Sequence, residues 1–486
     1  MSLSLLSSLT SSTQSSLDLL VAQYTASISQ PLTQLQNQQN SINSLISTFQ
    51  DLKTKLSALV SQAQSFQNLG SLSPLAVKTV SSSNSSIATA TAQSTAAAGT
   101  HTLLVTQLAK NDTLLSNRLT QSGTDISTAT GAGTFTFSIT VNGKVTNVNV
   151  TVNSGDTNAT VLANIASAVN ATGSGVVASV VNDTSTTSRL VFTSSNSGST
   201  NAVSVADVTG TLAQSVGWSS SVITNRTAST STTAGYVYSA VSSLDANFTL
   251  DGIPVVRGTN SISDVLTGVT LNLLAVQQPT DNPVTLTVAA DTASIQNSIQ
   301  SFINAYNAVI TALSKDITTN TQTLVRGPLA GDITFMSLQR SLQSIAMSSV
   351  STVQSGSPNM LSAIGITINN DGTLTISSPS TLTSMLNTNL NGVSNLLSSS
   401  GGIMTQIYNL VNSYSSAGGI VDQKINGAQD QVNALNDQIK MVQTSINMQA
   451  DAMRRQYTAL LTLMAQLNQT QSQMNRIYSM MGLTLG

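Results

Sequence analysis

The sequence predicts an α+β multidomain protein, in which terminal α-helices form a coiled-coil stalk, or legs, and the central region forms a β-rich head. Apolar residues recur at heptad spacing near both ends of the chain, which is typical of coiled-coil helices. Between them, residues about 75–290 are rich in Thr, Val, Ser, Asn and Gly and alternate as strands do. The length of 486 residues corresponds to about three domains.

The first helical segment covers residues about 17–69. One apolar series repeats every seven residues, and a second series is offset from it by three. The two series consist of Ile28, Leu35, Ile42, Phe49 and Leu56, and of Leu45, Leu52, Leu59 and Phe66. Pro31 indicates a helix start or a kink, and Gly70 and Pro74 indicate the end of the segment.

The central region carries hairpin signals. Phe135–Val141 alternates as a strand, Asn142-Gly143 follows, and apolar alternation resumes at Val145 and in Val148–Val152. Because both positions of a two-residue hairpin turn need a positive φ, Asn-Gly predicts such a turn, and Asp251-Gly252 between two apolar strands predicts another. We also expect strands at Val269–Leu274 and Val284–Val288 and a short helix over Thr160–Val169. Joints rich in Thr, Ser and Gly near 111–130 and 219–235 would bracket a subdomain.

Helical patterning returns after residue 291 and is clearest at the C-terminus. There, one column stays apolar over eight heptads: Val432, Ile439, Ile446, Met453, Leu460, Leu467, Met474 and Met481. The partner column is interrupted by Gln449 and Gln456. Such a helix is marginal alone, and its Met residues form either a coiled-coil core or an adaptable face for a partner.

These patterns predict boundaries for the segments of the chain. The expected order is a leg helix at 1–42 that pairs with 425–486; a helical leg domain made of 43–74 and 291–424, with a hairpin at 364–376; a β-rich head domain made of 75–112 and 236–290; and an inserted head subdomain at 113–235.

Composition excludes several classes of function. The charged fraction is 7%, all 19 acidic residues are Asp, Cys is absent and His101 is the single histidine. These numbers exclude disulfides, Cys-ligated zinc and multi-histidine metal sites, and no cofactor is expected. The 17 cations are scattered rather than clustered, which argues against binding of nucleic acid. No apolar run approaches the ~18 residues that a membrane span needs. Since the first cation is Lys53, we expect no conventional secretion signal.

The candidate catalytic residues are explained by structural roles. His101 is expected to be a strand residue, since the sequence places no specific carboxylate or nucleophile beside it. Asp251 and Asp264 could form a carboxylate pair, but a turn Asp and a helix-capping Asp explain them more simply. The stretch 369–372, Asn-Asn-Asp-Gly, suggests a calcium loop, but an EF-hand needs a Glu at its twelfth position, so a hairpin turn is favoured. The protein is therefore not expected to be an enzyme.

Several stretches resemble those of one known family, the flagellar filament cap proteins, FliD, also called flagellar hook-associated protein 2. The most similar block runs from Phe248 to Leu273. The other similar stretches are 17–23 with 30–35, Gly327–Asp332, Ile364-Gly-Ile366 with Asp371–Leu374, and Val141–Gly143 with Ser154–Thr157 and Ile165, the last of which is similar to a module of flagellin heads. Together these stretches are spread over nearly the whole chain.

The resemblance implies a function. Such proteins form a closed homo-oligomeric ring at the distal filament tip, beneath which exported flagellin folds and is inserted. The implied partners are flagellin, the hook-associated junction proteins, further copies of the chain and an export chaperone at the C-terminus, with secretion through the flagellar type III exporter. We expect the leg heptads to make these contacts, through Ile28, Leu35, Ile42, Phe49, Leu56, Ile439, Ile446, Met453, Leu460, Leu467 and Met474.

Three alternatives remain open at this point. A flagellin or a hook–filament junction protein would also have terminal heptads, and a tip-located surface adhesin would suit a head rich in Ser and Thr. A glycan hydrolase on a stalk is disfavoured, because the chain has no Glu and no convincing carboxylate pair.

Overall fold

A computed structural model describes residues 18–68, 70–278, 280–319 and 325–480. The chain divides into two compact units, one made of Met1–Asn68 with Gln296–Gly486 and the other of Leu69–Ile295. The first unit is helical and the second is built mainly of strands. The predicted fold class, with helical terminal regions and a β-rich centre, is confirmed.

The helical unit contains long and short helices. Residues 18–28 are helical (α1). The others are α2 (Gln30–Gln67), α7 (Thr292–Ile317), α8 (Ile333–Met347), α9 (Pro379–Thr388), α10 (Leu390–Ser398), α11 (Ile403–Ser415) and α12 (Ile420–Met480). The predicted boundaries at 42/43 and at 424/425 fall inside α2 and α12, both of which are continuous helices.

The core of this unit forms around the C-terminal half of α2. Leu52, Leu56 and Leu59 are fully buried, and α2 packs along α11 and α12. The ring of Phe49 lies 5.7 Å from that of Phe335 on α8, measured between centroids. Pro31 lies in the first turn of α2, so it starts this helix, as its fixed φ allows.

A small hairpin joins the helices of this unit, as expected. Its strands are Ile366–Ile368 and Leu374–Ile376, which pair in antiparallel register. The Asp371 carboxylate in the turn accepts hydrogen bonds from the hydroxyl and the backbone N–H of Thr373, which lower the pKa of this carboxyl below its ordinary value. The carboxylate therefore stabilises the turn, as the hairpin interpretation requires.

The described residues of the β-rich unit form four sheets. Its strands are β1 (Lys78–Ser82), β2 (Ala88–Ala92), β3 (Gly99–Gln107), β4 (Asn111–Leu115), β5 (Leu119–Thr120), β6 (Gly133–Val141), β7 (Lys144–Val152), β8 (Val176–Val181), β9 (Thr187–Ser197), β10 (Ser204–Thr209), β11 (Gly235–Tyr236), β12 (Ala246–Leu250), β13 (Ile253–Arg257), β14 (Ser261–Leu266), β15 (Val269–Leu273) and β16 (Val284–Ala290). The sheet orders are β1-β16-β3-β12-β13, β14-β15-β2, β11-β4-β9-β5 with β8 on β9, and β10-β6-β7. The helices of this unit are α3 (Asp125–Thr130), α4 (Asn158–Asn170), α5 (Leu212–Ser215) and α6 (Ser220–Thr224).

Two separate hydrophobic cores stabilise these sheets. One draws on buried residues within 88–109 and 246–288. The other draws on residues from Leu114 to Tyr236 and includes Trp218, whose ring lies 4.5 Å from that of Phe192. The stretches 111–130 and 219–235, expected as joints, contain β4, α3 and α6, because Leu114 and Ile126 are needed in this second core.

Both predicted two-residue turns are present. Asn142 and Gly143 have φ of 51° and 72°, and Asp251 and Gly252 have φ of 51° and 80°. The predicted helix near 160–169 is α4, which the Thr157 side chain caps through the N–H of Thr160.

One local prediction is wrong. Asp264 does not cap a helix but lies within the edge strand β14, where Arg257 of β13 donates to it at 3.0 Å. The alternation of Ser261-Ile-Ser-Asp-Val-Leu266 is a strand pattern, and pairing of this segment with β15 fixes it as a strand.

Candidate functional site

The long helix α12 is the most distinctive feature of the helical unit. It spans 61 residues, which at about 1.5 Å per residue corresponds to roughly 90 Å. Its first turn contains Asp422, whose carboxylate accepts a hydrogen bond from the N–H of Gly418 at 3.0 Å. An acidic group here interacts favourably with the positive end of the helix dipole.

The N-terminal half of α12 pairs with α2 in antiparallel orientation. Lys53 contacts Asp422 at 2.5 Å, and Gln39 donates to Asn436 at 2.5 Å. Further along, the hydroxyl of Tyr24 in α1 donates to Gln449 at 3.2 Å. Residue numbers fall on one partner as they rise on the other, so these polar contacts fix the register of the two segments.

Apolar residues line the seam between these polar contacts. Ile46, Ala428 and Val432 form a buried cluster, and Ile42 and Ile425 pack against it. Ile446 is also buried. In this part of α12 the heptad column is therefore used to hold the chain's own helices together.

The C-terminal half of α12 presents the same column to solvent. The side chains of Leu460 and Leu467 are 48% and 66% exposed. Five further large apolar side chains of this half are exposed as well: Leu463, Met464, Met474, Ile477 and Met480. Such a concentration of apolar side chains on one exposed helix marks a surface for interaction. We call residues 453–480 the distal segment.

All charged side chains of the distal segment are positive. The segment carries Arg454, Arg455 and Arg476 and no acidic residue. Gln456 and Gln471 are exposed along the same stretch. A partner would therefore be an apolar helix or groove with hydrogen-bonding groups and, at its rim, acidic ones.

The structure divides the predicted contact residues into three groups. Phe49, Leu56 and Ile446 are buried within the chain itself. Five others are half-buried: Ile28, Leu35, Ile42, Ile439 and Met453. The exposed members are Leu460, Leu467 and Met474. The contacts themselves stay a prediction, and the exposed group is the one that is free to make them.

Leu463, Met464 and Ile477 belong to the same exposed surface but were not among the predicted contact residues. Leu463 and Ile477 follow the second heptad column, which sequence reasoning treated as weak because Gln449 and Gln456 interrupt it. The signal was therefore present in the heptad spacing.

His101 lies in β3, as expected, but it has a carboxylate partner that sequence reasoning missed. Its Nδ1 lies 2.7 Å from Oδ2 of Asp251, and the N–H of Thr102 donates to Oδ1 of the same carboxylate at 2.8 Å. The hydrogen bond from His101, followed by that from Thr102, lowers the pKa of Asp251. These contacts brace the hairpin turn between β12 and β13.

The residues that the structure describes contain no group of three or more side chains suited to bind a metal ion. In the same part of the chain, no helix combines the length and the apolar character that crossing a membrane requires.

Two family models match the chain. The model of the flagellar hook-associated protein 2 N-terminus matches residues 13–112, and that of the flagellar hook-associated protein 2 C-terminus matches residues 243–469. The chain belongs to the flagellar hook-associated protein 2 family. Residues 113–242 lie between the two matched segments and supply the second β core.

Individual relatives agree with this assignment. A-type flagellar hook-associated protein 2 from Pseudomonas aeruginosa is 29% identical over 283 residues, which is 56% of this chain and 57% of the relative. Flagellar hook-associated protein 2 from Escherichia coli K12 is 29% identical over 55% of this chain and 56% of the relative. The match thus spans little more than half the length of these curated relatives.

Among solved structures, the D1-D2-D3 domains of the flagellar cap protein FliD from Escherichia coli resemble this chain with a TM-score of 0.56 and 28% identity. The match covers 79% of this chain and 99% of the solved one. The similarity therefore extends from sequence motifs to the fold.

Proposed function

We propose that this protein caps the distal tip of the bacterial flagellar filament as a closed homo-oligomeric ring, where it promotes folding and insertion of exported flagellin and prevents its loss. Its role is structural rather than enzymatic. The observation that carries the proposal is the exposed apolar surface of the distal segment on a helix of the hook-associated protein 2 family.

The distal segment is suited to a contact that forms and releases repeatedly. Its apolar side chains supply affinity, whereas Gln456 and Gln471 along the same stretch limit the stability of any coiled coil it forms. Several legs of moderate affinity in one ring hold a cap in place while single legs exchange. The filament sites would be offered by flagellin or by a hook-associated junction protein.

We extend the proposal to the division of the chain into leg and head segments that the sequence predicts. The predicted pairing of 1–42 with 425–486 is supported as far as Gln449 by the contacts of Tyr24 with Gln449 and of Gln39 with Asn436, whereas the distal segment is exposed. Residues 1–17 and 481–486, the latter with Met481 of the heptad column, lie outside the described residues. The exposed apolar C-terminal segment also suits capture by an export chaperone before secretion through the flagellar type III exporter.

Immunogold electron microscopy of intact cells, with an antibody to this chain, tests the location. We expect label at distal filament tips. Label along the shaft would instead support a flagellin-like subunit, label at the filament base a junction protein, and label on the cell body an adhesin.

A double substitution tests the role of the distal segment. Leu460→Asp with Leu467→Asp should abolish filament growth, because two charges then lie within the apolar surface, while the melting curve of the protein stays unchanged. Thr462→Asp with Gln469→Asp is the matched control, since each position lies about 200° around the helix from its counterpart. Normal filament growth with the Leu460 and Leu467 substitutions, or equal loss of filament growth with both pairs of substitutions, would contradict the proposal.

A further inference from the structure

The strand β7 is an open edge of the β10-β6-β7 sheet. It pairs with β6 in an unbroken register that begins at Val141 and Lys144, on either side of the two-residue turn. Because the pair that closes such a turn is hydrogen-bonded, the even-numbered residues of β7 bond to β6. The backbone N–H and C=O groups of Val145, Asn147, Asn149 and Thr151 therefore point away from the sheet.

These four residues are exposed, whereas Val148, Val150 and Val152 face the core. In the described part of the chain, no backbone or side-chain hydrogen bond reaches the outward N–H and C=O groups of β7. The strand also contains no proline and no bulge, and Lys144 is its single charge. A long, regular strand of this kind is a template for pairing with another chain.

Two other sheet edges of the same unit, β13 and β10, are protected. In β13, Pro254 offers no N–H at the outer edge, and Arg257 donates to the outer carbonyl of Val256 at 2.8 Å. In β10, the register shifts between Asp207 and Thr209, and the Asp207 carboxylate binds the N–H groups of Ala213 and Gln214. Proline, a charged side chain and a bulge are the devices by which proteins block edge pairing, and β7 has none of them at its outward positions.

The sequence of β7 is complementary to itself. In an antiparallel pair of two β7 strands centred on Val148, Asn147 faces Asn149 and Val145 faces Thr151 of the other copy. Amides then lie opposite amides, and β-branched side chains lie opposite each other. Lys144 faces Val152, so no like charges meet. If the pair is centred on Asn147 or on Asn149 instead, Val145 lies opposite an Asn, and fewer of the four outward residues face one another.

We propose that β7 pairs antiparallel with β7 of a second copy of this chain in the register centred on Val148. The contact joins two three-stranded sheets into one continuous sheet. Each of the four outward residues gains its two missing backbone hydrogen bonds.

This contact is distinct from a ring contact. The β7 pair has twofold symmetry and uses the same surface on both copies, whereas a closed ring of more than two copies uses two different surfaces. The β7 pair therefore links two chains whether or not each belongs to a ring, and its test does not depend on the capping function.

Because the sequence contains no Cys, engineered thiols can test the register directly. In the proposed pair, residue 147 of one copy lies opposite residue 149 of the other, at a Cα separation of about 5.5 Å that a disulfide can span. The variants are Asn147→Cys and Asn149→Cys, oxidised separately and as a mixture. We expect the mixture to give at least ~5-fold more disulfide-linked dimer than either variant alone, because identical positions lie about 7–8 Å apart on the diagonal.

Ser138→Cys mixed with Thr140→Cys is the matched control. These positions have the same spacing on the same face of the sheet, but β6 is paired on both sides. Asn149→Cys also removes the hydrogen bond that Asn149 accepts from Thr136. Circular dichroism of each variant therefore checks that it is folded. Absence of dimer in the mixture, equal dimer from one variant alone, or equal dimer in the β6 control would overturn the proposal.

A charge exchange provides a second, reversible readout. Asn147→Lys with Asn149→Lys should abolish dimers in sedimentation velocity, and so should Asn147→Asp with Asn149→Asp, because like charges then face each other. Mixing the two double variants should restore the dimer. Failure of the mixture to associate, with both variants folded, would overturn the proposed register.

Discussion

The two halves of α12 carry one heptad column in two different environments. Up to Ile446 the column is buried or half-buried, and from Leu460 to Met474 its members are between 48% and 66% exposed. Polar contacts mark the paired half, from Lys53 with Asp422 to Tyr24 with Gln449. The comparison shows that an apolar repeat specifies that a helix has a partner, whereas the fold decides whether that partner belongs to the same chain.

The largest difference between the halves should appear on truncating a leucine. Leu435→Ala removes a side chain that is 9% exposed and should lower the free energy of unfolding by about 2 kcal/mol. Leu467→Ala, in the same helix but 66% exposed, should change it by less than about 0.5 kcal/mol. Denaturant unfolding followed by far-ultraviolet circular dichroism measures both.

An equal loss of the free energy of unfolding in Leu435→Ala and Leu467→Ala would mean that the distal segment is covered in the free protein. The comparison of the halves would then fail, and with it the assignment of Leu467 to an exposed interaction surface.

An intermediate effect should come from the ion pair that anchors the start of the paired half. Lys424 of α12 contacts Asp332 at 2.8 Å, and Asp332 also accepts from the N–H of Thr334 as the N-cap of α8. Burial alone would raise the pKa of Asp332, but the hydrogen bonds from Lys424 and Thr334 outweigh it and lower the pKa. A lowered folded pKa contributes stability above the unfolded value of ~3.9, and that stability is lost as the pH falls through the folded pKa.

Asp332→Asn keeps a capping group and removes the charge. It should destabilise the protein by about 1 kcal/mol near pH 6, and the deficit should close near pH 2. Denaturation at both pH values measures it, with the exposed Asp437→Asn as control. A deficit that persists unchanged in acid would show that the charge of Asp332 is not its cause.

The smallest effect should lie where the paired half ends. Tyr24→Phe removes the exposed hydrogen bond to Gln449 and leaves the ring in place. Because water replaces the lost partner, the free energy of unfolding should change by less than about 0.5 kcal/mol. A loss well above 1 kcal/mol in the same unfolding assay would show that this contact, rather than the apolar seam, fixes the end of the paired region.

Local signals predicted much of the fold. Asn142-Gly143 and Asp251-Gly252 specify their turns because few other residues adopt a positive φ, and the heptads specify α2 and α12 because few other structures place residues seven apart on one face. The role of Asp264 was not predictable in the same way, since a carboxylate serves equally well at a helix cap and on an exposed strand.

The candidate site was predicted only in outline. The heptad columns identified residues of α2 and of both halves of α12, but nothing in the spacing separates Phe49 and Leu56 of α2, which are buried, from Leu460 and Leu467 of α12, which are exposed. Their exposure depends on segments several hundred residues away in sequence.

The sequence by itself determined the helical class of the two terminal regions, the positions of the hairpin turns and the absence of thiol and Glu chemistry, because these depend on residue type and short spacing. The tertiary structure alone decided which part of the α12 column is covered, that His101 lies beside Asp251 across 150 residues, and which sheet edges stay open. These features depend on contacts between distant segments, which local sequence patterns do not encode.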